Sequence, residues 1–142
     1  MEFWKDADEA MNTILKYQQE VIKDPEIGPA LQKLNQLIVY DYSENKPGCK
    51  VWMNSRDGKL EVGSGDPPAG LGEPNLVLSC SVDDAHRAWS NKLNVVVAIT
   101  RKKVRIKGSA VGLLKLVPKQ KRTAEIDNKV LTDLGMTDKI IK

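Results

Sequence analysis

The sequence predicts an α+β fold, a five-stranded, mostly antiparallel sheet covered by helices, with a helical extension at its N-terminus. Three observations predict it. Apolar residues recur every three or four positions near both ends of the chain, the periodicity of amphipathic helices. The middle instead alternates apolar and polar residues in runs separated by Gly, Pro, Asn and Asp, the pattern of half-buried strands joined by turns. A hydrophobic content of 41% beside 29% charged residues matches ordinary globular chains, which excludes a disordered or fibrous protein. At 142 residues the chain fits one domain able to bury roughly two-thirds of its unfolded surface.

Trp4, Ala7, Met11, Ile14, Leu15, Val21 and Ile22 give a first helix of about five turns. Asp24-Pro25 and Gly28-Pro29 interrupt it, and Leu31, Leu34, Leu37 and Ile38 form a shorter helical stripe starting at Pro29, a residue favoured in the first helical turn. From Ile38 the period becomes two, with Tyr40 and Tyr42 on one side and Val39 and Asp41 on the other, followed by the turn-forming run Glu44-Asn45-Lys46-Pro47-Gly48. Cys49, Val51 and Met53 alternate with Lys50, Trp52 and Asn54, and Arg56-Asp57-Gly58 turns the chain into a third strand carrying Leu60 and Val62. These strands form an antiparallel meander.

Residues 63–74, "GSGDPPAGLGEP", read as a surface crossover. A phosphate-cradling loop is excluded, because Pro67 and Pro68 remove amide donors and no Gly-Lys-Ser/Thr or helix follows directly. Leu76, Leu78 and Cys80 mark a fourth strand. Ser81 with Asp84 opens a helix whose buried face holds Val82, Ala85, Trp89 and Leu93, and Asp83 and Asp84 serve its dipole rather than acid/base chemistry. Val95 to Ile99 fits strand or helix equally. Val104 and Ile106 alternate with Lys103, Arg105 and Lys107 as a last strand ending at Gly108. Val111, Leu113, Leu114, Leu116 and Val117 form a short apolar segment, and Ile126, Val130, Leu131 and Leu134 a final helix closed by Gly135.

Cys49 and Cys80 are too far apart in sequence for a thiolate metal motif and are expected to be reduced; the single His86 offers no imidazole pair and is expected near a helix surface. No metal, cofactor or catalytic constellation is therefore expected, and the chain is read as a non-enzyme, a thioesterase acting on acyl-CoA being a remote third reading. No apolar window reaches the ~20 residues of a spanning helix, and Glu2, Lys5, Asp6, Asp8 and Glu9 leave no signal-peptide core, so a cytoplasmic protein is expected. Trp52 falls on the polar register of its strand; packing under the N-terminal helix is favoured over a role as an exposed partner contact.

Charge is unevenly placed. Of 22 basic and 19 acidic residues, eleven Lys or Arg and no acid lie between Ala85 and Ala124, leaving everything else at −8. Such asymmetry favours an anionic partner.

The segments "KLN" and "KKVRIKGSAVGLLKL", within Lys92 to Leu116, resemble the sterol carrier protein 2 lipid-binding domain. That family carries a Gly-Lys-Leu-Asn-Pro turn, a short helix, a Lys-Leu-Lys-Ile-Lys-Gly strand and a Leu-Ala-Met-Lys-Leu helix in the same order. The passage "GEPNLVLSCSVDDAHRAWSNKLN" is similar to the family's strand, acidic helix start and helix, and "VYDYSENKPGCKVWMNSRDGKLEVGSG" to its first hairpins. The resemblance covers residues 29–117, leaving 1–28 as the N-terminal helical extension and 118–142 as a C-terminal helix of one lipid-binding domain, 1–142. Val95 stands where the family has Pro, Arg101-Lys102 where it has glycines, and Ser109-Ala110 where it has a more polar pair; these departures bear on the pocket mouth and ligand preference. The chain stops at Ile140-Ile141-Lys142 rather than a Ser-Lys-Leu-type ending, implying a free-standing cytosolic member.

The resemblance implies an apolar tunnel between sheet and helices that holds a sterol, fatty acid, acyl-CoA or phospholipid noncovalently for intracellular transfer. By position Leu78, Val96, Ile99, Val104, Ile106, Ala110, Leu113 and Leu114 would line it, with lipid entering where the 111–117 helix and the C-terminal helix meet the sheet. Arg101, Lys102, Lys103, Lys119, Lys121 and Arg122 would contact anionic head groups or a membrane surface transiently. The competing reading is a ligand-free module docking an acidic protein or nucleic acid through its basic face. Nucleic acid is disfavoured, because Trp89 is the only aromatic in that segment.

Overall fold

Period-two alternation builds the centre of the molecule. In the computed structural model, which describes residues 4–44 and 48–141, five strands pair into one sheet: β1 (Leu37–Asp41), β2 (Lys50–Asn54), β3 (Glu61–Ser64), β4 (Leu76–Ser79) and β5 (Arg105–Gly108). Their order is β3-β2-β1-β4-β5, antiparallel throughout except where β1 and β4 run parallel. The expected turn through Asn45-Lys46-Pro47, the acidic Glu2 and the terminal Lys142 lie outside the described residues.

Register sorts each strand into two faces. Tyr40 stands beside Val51 on one side and Leu78 on the other, with Ile106 next along, and Ile38 likewise joins Met53, Val62 and Leu76. This inner face holds the core, since Ile38, Val51, Met53 and Leu76 are fully buried. The outer face carries Lys50, Trp52, Arg105 and Lys107, so the cations of β5 sit on its solvent side.

The parallel pair explains the 63–74 linker. A meander brings the end of β3 to the same end of the sheet as the end of β1, so a chain entering β4 parallel to β1 must first return the length of a strand. It returns across the outer face, where Pro67, Pro68, Gly72 and Pro74 border Val39 and Val77. Leu37 and Val39 are buried there although they point away from the helices. Arg56 pins the return: its Nε donates to Asn75 Oδ1 at 2.9 Å and its guanidinium donates to the carbonyl oxygens of Leu71 and Glu73. Trp52 is on this face, not under the N-terminal helix. Its indole covers Gly63, where an added Cβ would collide with the ring.

Helices cover the inner face unevenly. α1 (Ala7–Lys23) is capped by Asp6, whose carboxylate accepts from the Glu9 amide at 2.8 Å, and buries Ala10, Ile14, Tyr17 and Val21. It packs on β2 and β3, on α2 (Ile27–Gln32) and on α6 (Gln120–Asp133). The helix expected from Pro29 through Ile38 thus begins two residues earlier and stops at Gln32. Asp24 nucleates it by accepting from the Ile27 and Glu26 amides at 3.0 and 3.1 Å, and Leu37 and Ile38 belong to β1 instead. The β1–β4–β5 half is left to α3 (Val82–Trp89), α4 (Val95–Thr100) and α5 (Val111–Leu114). The ambiguous Val95 to Ile99 run is helical because Asn94 Oδ1 caps it at the Val97 amide, 3.1 Å. Among the described residues no helix is long and apolar enough to cross a membrane.

Candidate functional site

A sheet half covered largely by short helices is hard to fill completely. Between the inner face of β1 and β4 and the helices lies a cavity of about 190 Å³. Of the residues placed there by sequence, Leu78, Ile99, Val104, Ala110, Leu113 and Leu114 border it. Val96 does not: it lies on the outside of α4, 53% exposed, and its neighbour Val95 turns inward in its place. Ile106 packs against the core beside Leu78 without reaching the open volume.

The opposite wall was not anticipated. Tyr17, Gln18 and Val21 of α1 and Ile27 and Leu31 of α2 border the cavity, so much of the segment read as an extension forms the site. Their three- and four-residue spacing was the available signal; only the partner of that stripe was hidden. Tyr40 and Tyr42 contribute from the inner face of β1 and the residue after it, and Trp89 from α3. Tyr17 stacks on Trp89 with ring centroids 4.7 Å apart, and Tyr42 lies 6.3 Å from the same indole.

No Lys or Arg lies among the described residues bordering the cavity, and burial pushes the Tyr17, Tyr40 and Tyr42 phenols above their ordinary range. Cys80, also in the wall, is pushed up to about 12 by burial, which keeps it a thiol and a poor nucleophile. Both cysteines are free, and among the described residues no group of three His, Cys, Asp or Glu is placed to hold a metal.

Behind Trp89 lies the one polar centre the sequence misplaced. His86 is fully buried rather than near a surface: its Nε2 is 3.1 Å from Asp127 Oδ2, and the Trp4 ring lies 5.1 Å away. Asp127 also accepts from Trp89 Nε1 at 2.9 Å and Ser90 Oγ at 3.0 Å, tying α3 to α6. A buried carboxylate with three partners is a structural fastener, and it fixes the indole that forms the cavity wall.

The expected head-group cations divide in two. Lys119 pairs with Glu26 at 3.1 Å and Arg122 with buried Asp24, both joining the start of α6 to the α1–α2 corner. Arg101, Lys102, Lys103 and Lys121 are exposed and have no acidic partner among the described residues. Arg101, Lys102 and Lys103 directly follow α4, whose Val96 and Val97 are exposed, and Val111 of α5 is 66% exposed. The covering of the cavity therefore presents aliphatic side chains and cations to solvent together.

The chain matches a family model described as the SCP-2 sterol transfer family over residues 14–120. No curated protein matches it. Among solved structures, the sterol carrier protein domain 2 of Helicoverpa armigera is 21% identical, covers 80% of this chain and 89% of its own, and superposes with a TM-score of 0.59. The apo form of sterol carrier protein 2 from Yarrowia lipolytica is 17% identical over 87% of this chain and 91% of its own, TM-score 0.55. Sterol carrier protein 2 of Aedes aegypti, solved in complex with palmitate, is 16% identical over 81% of this chain and 94% of its own, TM-score 0.51.

Proposed function

The chain belongs to the SCP-2 sterol transfer family, and from that premise we propose that it binds one lipid molecule noncovalently in the cavity beneath α3, α4 and α5 and transfers it between membranes. The observation that carries this reading is the cavity itself, an open volume of about 190 Å³ in the part of the fold where ordinary packing would leave none. Apolar burial supplies the affinity: at roughly 25 cal/mol per Å², an acyl tail leaving water gains several kcal/mol without any catalytic group.

The volume indicates how loading proceeds. It exceeds the ~150 Å³ cavity that admits benzene but is below the ~300 Å³ at which pockets begin to enclose larger ligands. A full-length acyl chain or sterol therefore enters by widening the cavity. α4 and α5, six and four residues long, are the covering elements with the least internal cooperativity to resist displacement. Lipid passes where α5 and the start of α6 meet the sheet, and the palmitate-bound Aedes aegypti relative supports a fatty acid as one cargo. Val96, Val97 and Val111 with Arg101, Lys102 and Lys103 form the surface that meets an anionic leaflet, each cation contributing up to ~1 kcal/mol near the bilayer.

Denaturing solvent extraction of the purified protein followed by mass spectrometry tests the reading. A near-stoichiometric lipid is expected. Absence of lipid, combined with failure to take up palmitate and salt-dependent retention on polyanions, would point instead to a docking module.

A further inference from the structure

The cavity wall is mostly apolar, and three of its polar side chains lack a partner. Tyr40 is 8% and Tyr42 4% exposed, both border the open volume, and neither phenol hydroxyl has a hydrogen-bond partner among the described residues. Gln18, 6% exposed and also bordering the cavity, has an unpartnered side-chain amide as well. Tyr17 differs, because its hydroxyl meets the Thr123 side chain. The two hydroxyls and the amide are still open to solvent, so an apolar occupant that displaces water from them leaves them unpaired at a cost. An occupant that hydrogen-bonds to them removes that cost.

We propose that Tyr40, Tyr42 and Gln18 form a subsite for the polar atom of a neutral lipid, a hydroxyl or carbonyl oxygen carried into the cavity head-first. The inference rests on the lipid-binding reading and specifies its ligand class. The phenols can donate to or accept from such an oxygen, and the Gln18 amide can do either. An ionised carboxylate is refused there. No Lys or Arg borders the cavity among the described residues, and the acidic residue that does, Asp84, is already paired with Arg87 at 2.9 Å. Desolvating a carboxylate with no free cation beside it is strongly unfavourable. A fatty acid therefore binds the other way round, with its tail inside and its carboxylate at the mouth.

Head-first and tail-first binding are separable with three C12 probes: 1-dodecanol, dodecanoate and dodecane. Binding to the full chain is followed by tryptophan fluorescence, with Trp89 in the cavity wall as reporter. Tyr42→Phe and the double variant Tyr40→Phe/Tyr42→Phe keep both rings and remove only oxygens. The expected result is that dodecanol weakens by about two- to tenfold for each hydrogen bond lost, while dodecanoate and dodecane do not weaken. Dodecanol binding unchanged by either variant overturns the subsite and leaves lipid binding standing. Equal weakening of all three probes also overturns it, because that reports packing rather than recognition. If no probe binds the unaltered protein, both the lipid reading and the subsite fall.

Discussion

Asp127 shows how much a single buried atom pair decides. Its two carboxylate oxygens receive Trp89 Nε1 and Ser90 Oγ and meet His86 Nε2, joining residues 37 to 41 positions away in sequence. No local pattern announces such a partnership, which is why the lone histidine read as a surface residue while it is among the most buried in the chain. Asp127→Ala is expected to cost about 3 kcal/mol or more, because it strands donors that water cannot reach; urea denaturation measures it, and a loss under about 1 kcal/mol would contradict the account. Asp24 gives a pH signature. Burial pushes its carboxyl up, but the Arg122 guanidinium and the amides of Ile27 and Glu26 outweigh that and hold it below its ordinary value. The stability this group adds is present above the unfolded carboxyl range near 3.9 and is lost as pH falls through the lower native value. Arg122→Met should destabilise at pH 7, with the gap from the parent narrowing below about pH 4; a constant gap across that range would refute the role given to Arg122.

At the scale of elements, period-two strands were legible because the inner face is buried and the register cannot slip without exposing it. The β2–β3 turn followed from Arg56-Asp57-Gly58, where Asp57 and Gly58 adopt φ of 55° and 74°. The short helices were not legible. Residues 95–99 carry β-branched side chains that favour strands, yet one cap at Asn94 turns them into α4, and α2 is set by Asp24 rather than by Pro29. The cavity depends on these weak elements, so they should open most readily. Amide exchange is expected to be fast in α4 and α5 without ligand and slowed by palmitate, whereas β1 and β2 stay protected in both states. Exchange in α4 and α5 that ignores ligand would contradict the gating role. Gly108 fixes the end of β5: with φ of 98° and the Asn75 carbonyl oxygen where a Cβ would sit, Gly108→Ala should cost several kcal/mol, read as a lowered unfolding midpoint.

At the scale of the whole molecule, the charge asymmetry of the sequence becomes a division of labour. Lys119, Arg122 and Arg105 pair with Glu26, Asp24 and Glu44, holding the fold, while Arg101, Lys102 and Lys103 remain exposed beside the valines over the cavity. Composition showed the excess of charge but not which cations are committed to partners, because those partners come from the other half of the chain. Replacing Arg101, Lys102 and Lys103 together with Glu should slow lipid delivery to vesicles containing phosphatidylserine by tenfold or more at low salt. Affinity for dodecanol, which does not use that rim, should be unchanged. Delivery that is insensitive to charge reversal would remove the docking surface.

The central claim is that the volume between the sheet and its short helices belongs to a ligand. Ala88 of α3 borders it, so Ala88→Phe grows into that volume. Titration of the parent and the variant with palmitate under one condition tests the claim most directly. Saturable uptake at one per chain, lost at least tenfold in a variant that unfolds no earlier than the parent, is the predicted result. Uptake that survives the filled cavity, or is absent from the parent, would contradict it.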